Sequence, residues 1–159
     1  MSNQPAREAS IVLDAPPAEV WAAVTDLTAM RRRSPELVGM WLMGAPKVGR
    51  RGINLNRRKG FFWPTTSRIS QWLPPTATSD GVFGFEVWPS RVEWSYEVAP
   101  DGTGTRLTER RSAVIDPNLV VRATAKLALG GADGHDAELQ DGMHATLAAI
   151  QSELSGQRA

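Results

Sequence analysis

The sequence predicts one α+β domain, with an antiparallel sheet of about seven strands, two short helices after the first strand and a long C-terminal helix lying across the sheet. Three observations carry that prediction. Between residues 37 and 114, apolar runs recur at short intervals with turn chemistry between them. In the clearest run, Val92, Trp94, Tyr96 and Val98 point one way while Arg91, Glu93, Ser95 and Glu97 point the other. Near the end of the chain, Leu139, Met143, Leu147, Ile150 and Leu154 recur at helical spacing over about five turns. A helix that long with one apolar stripe needs a broad surface, and a curved sheet is the only element able to supply it.

Each element follows in order. Residues 8–15, EASIVLDA, mix β-branched and apolar side chains and stop at Pro16-Pro17, so they form the first strand. PPAEVWAAVTDL (16–27) is helical: prolines suit a first turn, Glu19 favours that end, and Val20, Trp21, Val24 and Leu27 fall on one stripe. LTAMRRRSPE (27–36) is a second short helix ended by Pro35. Its Arg31-Arg32-Arg33 run is a solvated face in the ordinary reading and a phosphate or acidic-ligand contact in the sharper one. The strands after it are parted by GAPKVGRRG, RRKG, LPPTATSDG, WPS and APDGTG. Asp116-Pro117 ends the sheet, and Leu119, Val120, Ala123 and Leu127 give a further helical stripe. GGADG (130–134) breaks it, with Asp133 a candidate cap for the last helix. Residues 1–7 and 156–159 are expected to be loose ends of a domain spanning 1–159.

Composition narrows the function. Eighteen basic against 17 acidic residues give a net charge of +1, which argues against a nucleic-acid partner. With no cysteine, thiol nucleophiles, disulfides and thiolate metal sites are excluded. The two histidines, His135 and His144, have no spacing that suggests a metal site, so no metal or cofactor is expected. MSNQPAREAS lacks the pattern of a signal peptide, and no stretch is apolar enough to span a bilayer; a cytoplasmic protein without stable membrane insertion is the expectation. Six tryptophans suit a core or the wall of an apolar pocket.

Specific residues carry a resemblance that covers nearly the whole chain. They are Ile11-Val12-Leu13-Asp14-Ala15-Pro16 with Val20-Trp21 and Asp26, then Ser34-Pro35-Glu36, Val48-Gly49 and Asn56. Trp63-Pro64-Thr65-Thr66-Ser67, Trp94-Ser95-Tyr96, Gly104-Thr105-Arg106-Leu107-Thr108-Glu109 and the late Leu139, Gly142, Met143, Thr146 and Leu147 complete the pattern. In their order and spacing these resemble the helix-grip (SRPBCC, START-like) superfamily, nearest its bacterial polyketide cyclase/dehydratase-like branch. The resemblance implies a curved sheet wrapped around the C-terminal helix, an elongated apolar cavity between them, and two short helices closing one end. The chain departs from the pattern at Arg33, where related sequences often carry an aromatic, and in the basic segment GINLNRRKGFF. The fold hosts many functions, so activity does not follow from it.

Candidate site residues follow from facing. In KGFFWPTTSRISQWL (59–73), Trp63, Thr65, Ser67 and Ile69 share one strand face, and Thr66, Arg68, Ser70 and Trp72 share the other. The first set reads as cavity wall; Trp72 is expected to cover the rim of the sheet. This alternation parts aromatics from cations and so disfavours a base-stacking surface. Phe83, Phe85, Trp94 and Tyr96 are core aromatics or cavity wall, and Tyr96 brings a hydroxyl that needs a partner. If Leu107 faces the cavity, Glu109 and Arg111 share that face, where they pair with each other or with a ligand, or serve as acid and base with shifted pKa values. Asn54 and Asn56 read first as an edge-strand feature, with Asn56 a ligand contact by resemblance. Leu139, Met143 and Leu147 present the helix to the cavity. His144 reads as a surface partner of Asp141, and His135 as a loop residue. Gly130, Gly131 and Gly134 lack the context of a phosphate loop and read as a hinge.

The leading expectation is a carrier that encloses a small lipophilic molecule, acting as a monomer or weak homodimer. An alternative is a polyketide aromatase/cyclase or dehydratase-like enzyme in which Glu109, Arg111 and Tyr96 move protons and hold enolate charge. A third class, an assembly or chaperone-type module, needs a large exposed apolar patch, which the sequence does not clearly show.

Overall fold

The computed structural model of the chain describes residues 7–113 and 132–157. Seven strands form one antiparallel sheet: β1 (Arg7–Leu13), β2 (Leu37–Leu42), β3 (Arg51–Arg58), β4 (Phe61–Leu73), β5 (Gly81–Trp88), β6 (Val92–Asp101) and β7 (Gly104–Ala113). Their order is β1-β7-β6-β5-β4-β3-β2, so β1 and β2 are the edges. Helices α1 (Pro17–Thr25) and α2 (Leu27–Arg33) fill the crossover from β1 to β2, and α3 (Ala132–Gly156) closes the chain. This is the expected helix-grip architecture. The stripe of Leu119, Val120, Ala123 and Leu127 and the glycines Gly130 and Gly131 lie outside the described residues. Helix α3 already includes Asp133, Gly134 and His135, so the cap expected at Asp133 and the loop expected at His135 give way to helix.

Local chemistry sets the boundaries. Pro17 occupies the first turn of α1, where its missing N–H costs nothing. Asp26 ends α1 and caps α2, its carboxylate accepting from the Ala29 N–H at 3.1 Å. Pro35 holds Ser34 extended (φ −86°, ψ 130°) and stops α2. The β3–β4 hairpin turns through Lys59 and Gly60, both at positive φ (49° and 81°), the hand that matches strand twist.

Parity along β4 changes at a bulge. The register runs Ile69↔Phe85, then Gln71↔Gly84 and Trp72↔Phe83, so one residue is inserted at Ser70. Beyond it, every side chain swaps faces. Trp72 therefore points inward, correcting its assignment to the rim: its ring meets Trp21 of α1 at 5.3 Å and Phe83 at 5.4 Å, both edge-on.

The inner face divides along the strands. At one end α1 packs against β5, β6 and β7. There Val20, Val24, Phe83, Val98 and Leu107 close into a core with Leu147, Ile150 and Leu154 of α3. At the other end nothing among the described residues fills the sheet, and a cavity remains.

Arg33 corrects the solvated reading of its run. It is buried, its Nε and Nη2 reach Glu153 Oε2 of α3 at 2.9 and 2.5 Å, and Nη1 donates to the Ala23 carbonyl at 2.6 Å. Arg31 and Arg32 stay exposed, as expected. Helical phase separates them, because Ala29, Met30 and Arg33 share the buried side.

Candidate functional site

The cavity has a volume of about 750 Å³ and lies between the sheet, the α2–β2 junction and the first half of α3. Its walls are mostly apolar: Met30, Leu37 and Met40 on one side, Phe85, Val87 and Trp94 along the floor, Leu139 and Met143 from the helix. Exposed Phe61 stacks on Trp63 at 6.0 Å at the end of β4.

Three polar groupings interrupt this lining. The deepest is Glu109 with Tyr96, cross-strand partners on β7 and β6. The phenol donates to Glu109 Oε1 at 2.7 Å. Glu109 is only 2% exposed, and its Oε2 has no hydrogen-bond partner among the described residues. Burial pushes its carboxyl up to about 7, against a smaller downward pull from the Tyr96 hydrogen bond. Burial, then the neighbouring Glu109, raises the Tyr96 phenol well above its ordinary value, so it stays protonated.

A second grouping joins β3 to β4. Asn54 and Asn56 both donate to Thr65 Oγ1, at 3.2 and 3.1 Å, and Ser67 donates to Asn54 Oδ1 at 3.3 Å. This settles their facing and corrects the edge-strand reading: β3 has neighbours on both sides, and both amides turn inward. The third grouping sits where β3 meets α3. Arg58 and Lys59 reach Glu138, at 2.5 and 3.8 Å, tying the β3–β4 hairpin to the helix. Glu36 is raised by burial, an effect partly offset by the charges of Arg58 and Arg111. Arg111 carries its guanidinium over the Trp94 ring at 6.0 Å.

Most residues expected at the site meet here. Asn56, Trp63, Thr65, Phe85, Trp94, Tyr96, Glu109, Arg111, Leu139 and Met143 all line the cavity. Ser67, Phe83, Leu107 and Leu147, expected as ligand contacts, are buried but not part of this lining. The three strand residues face inward as alternation requires, but Phe83 and Leu107 pack with Leu147 of α3 in the filled core, and Ser67 is spent on Asn54. Glu36, Met40 and Asn54 join the lining unforeseen. For Glu36 the available signal was Ser34-Pro35, which ends α2 and turns the next residue toward the sheet. His144 is exposed as expected, with its Nε2 3.4 Å from the Gln140 amide nitrogen rather than beside Asp141. Among the described residues no three acidic or histidine side chains converge to hold a metal ion. None of the described helices is long and apolar enough to cross a membrane.

Comparison with known proteins agrees with this geometry. The family described as "Polyketide cyclase / dehydrase and lipid transport" matches residues 5–149. Curated proteins give no significant match. Among solved structures, the Polyketide_cyc-like protein Cgl2372 from Corynebacterium glutamicum is 25% identical, with a TM-score of 0.54 over 98% of this chain and 90% of that one. The di-domain ARO/CYC StfQ from the steffimycin biosynthetic pathway superposes with a TM-score of 0.68 at 14% identity, over 95% of this chain and 51% of that one. A STAR-related lipid transfer protein from Xanthomonas axonopodis gives 0.61 at 14% identity, over 94% and 85%.

Proposed function

The chain belongs to the polyketide cyclase / dehydrase and lipid transport family, and from that premise we propose that it is a carrier that binds a small lipophilic molecule in its cavity without a cofactor. The observation that carries this reading is an apolar chamber of about 750 Å³ with a Glu109 carboxyl oxygen that has no hydrogen-bond partner among the described residues. An unpartnered buried oxygen costs about 1–3 kcal/mol, so a ligand hydroxyl or other donor placed there relieves a cost the empty protein bears. The ligand is then an apolar body with a hydrogen-bond donor at its deep end, and Asn56 and Thr65 give a second polar anchor near the mouth. In solution the carrier is a monomer or weak homodimer.

Native mass spectrometry of freshly purified protein, followed by extraction, tests the reading. The expected result is a stoichiometric lipophile, or one that binds on addition and raises thermal stability. If no sterol-, lipid- or polyphenol-like compound is retained, shifts tryptophan emission or stabilises the fold, the reading is wrong.

One observation favours a second reading, an aromatase/cyclase or dehydratase-like enzyme acting on a polyketide-type substrate. A carboxyl held near 7 beside a protonated phenol can take and return a proton at neutral pH. Arg111 would hold the enolate charge. Turnover of a poly-β-ketone analogue that disappears in Glu109→Gln, with binding retained, would select this reading over the carrier.

A further inference from the structure

The outer face of the sheet divides as sharply as the inner one. On the β1–β7–β6 half, charges neutralise one another: Arg110 reaches both Glu8 and Glu97, at 2.9 and 2.5 Å, and Arg106 reaches Asp101 at 2.6 Å. The β4–β3–β2 half is different. Its register sets Trp41 opposite Ile53, Ile53 opposite Thr66, and Thr66 opposite Trp88, one row across four strands. Trp41, Ile53 and Trp88 are exposed by 58, 50 and 57%. Two outward positions further along β4, Phe62 is 52% exposed, with the Arg57 guanidinium 6.0 Å above its ring. Outward positions of β3 and β4 carry Arg51, Arg57 and Arg68 and no carboxylate; Arg68 has Glu86 of β5 opposite it, whereas Arg57 lies at the far end of the face from that carboxylate. Where this face meets the end of α2, Arg31, Arg32, Arg57 and Ser34 line a surface pocket of about 250 Å³. The expected separation of aromatics from cations therefore holds for Trp63 and fails for Phe62.

We propose that this face docks on the surface of an anionic lipid bilayer, with the arginine pocket receiving lipid phosphates and the Trp41–Ile53–Phe62 surface entering the headgroup boundary. Exposed tryptophan and phenylalanine beside arginines suit that boundary, where apolar rings sit below the phosphates and cations sit among them. Charge complementarity favours an anionic over a zwitterionic surface, because the pocket of Arg31, Arg32 and Arg57 has no carboxylate in its lining. A nucleic acid fits less well. Ile53 and Val38 offer nothing to a base or phosphate, and the net charge is only +1. Phe62 alternates along β4 with Phe61 and Trp63 of the cavity lining, so the docking face and the cavity lie on opposite sides of the same strand. The inference does not depend on what occupies the cavity.

Cosedimentation of the full chain with vesicles of phosphatidylcholine alone, or mixed with phosphatidylglycerol, tests it. Binding to the anionic vesicles only, weakening as salt is raised, is expected. The pair Arg31→Gln and Arg57→Gln should weaken binding by about fivefold per arginine. Trp41→Ser should also weaken it, whereas Arg106→Gln, on the neutralised half, should bind like the parent. Lack of binding to anionic vesicles at low salt overturns the proposal. So does equal binding to neutral vesicles, binding insensitive to these variants, or binding to single-stranded DNA in preference to vesicles.

Discussion

Glu109 and Tyr96 set how the molecule responds to pH. A carboxyl raised from 4.5 to about 7 in the fold binds its proton more tightly there than in the unfolded chain. The contribution of this group to stability is then full below pH 4.5, falls as pH rises toward 7 and is lost above it. At about 1.4 kcal/mol per pKa unit the loss is about 3 kcal/mol. Glu109→Gln keeps an acceptor for Tyr96 and cannot ionise. Denaturant titrations should therefore show the parent losing about 3 kcal/mol relative to this variant between mildly acidic and mildly basic pH. Equal slopes would mean that Glu109 is solvated. Tyr96→Phe removes the hydrogen bond that pulls the carboxyl down, so its loss of stability should extend to higher pH than in the parent.

At the scale of elements, the short helices are held by few but specific contacts. Arg33 joins three helices at once, bonding Glu153 of α3, ending α1 at the Ala23 carbonyl and belonging itself to α2. Arg33→Ala should cost about 3 kcal/mol in urea denaturation, since it leaves the Glu153 carboxylate without its donor and the Ala23 carbonyl with only the Asp26 N–H. Glu153 is a third exposed, so Glu153→Gln should cost only about 1 kcal/mol. Helix α3 approaches the α2–β2 junction through Gly142, where an added Cβ would stand 3.4 Å from Pro35 Cγ. Alanine fits that gap and has about 1 kcal/mol better helix propensity, so Gly142→Ala should be neutral or mildly stabilising in thermal denaturation. Gly142→Leu should lower the melting temperature by pushing α3 off Pro35.

For the whole molecule, the cavity exists because α1 covers only one end of the inner face. Met40, at the far end and opposite Asn54, can be enlarged without disturbing the filled end. Met40→Trp should weaken uptake of any lipophile by tenfold or more, measured by tryptophan quenching, while shifting the melting temperature by only a few degrees. Because it lies inside, it should leave vesicle docking unchanged. Uptake and docking are therefore separable properties of opposite faces of one sheet.

Much of this was legible from neighbours in sequence. Period-two alternation put Tyr96, Glu109 and Arg111 on the inward faces of β6 and β7, although Glu109 bonds Tyr96 rather than the expected Arg111; period-three-and-a-half spacing set the buried stripe of α3. Proline and glycine marked most of the ends. These signals work because backbone geometry and side-chain direction repeat over a few residues. They could not say which inward residues border empty space. Phe83 and Phe85 share a strand face, yet one is sealed in the core and the other lines the cavity, a difference made by what packs over each position and not by the strand itself. Trp72 needed the bulge at Ser70, which only the pairing with β5 reveals. Arg33 needed Glu153, 120 positions away. The outer row from Trp41 to Trp88 exists only as a register across four strands. Facing is a local property of the chain, whereas empty space, ion pairing and surface patches are made by segments that meet only once it has folded.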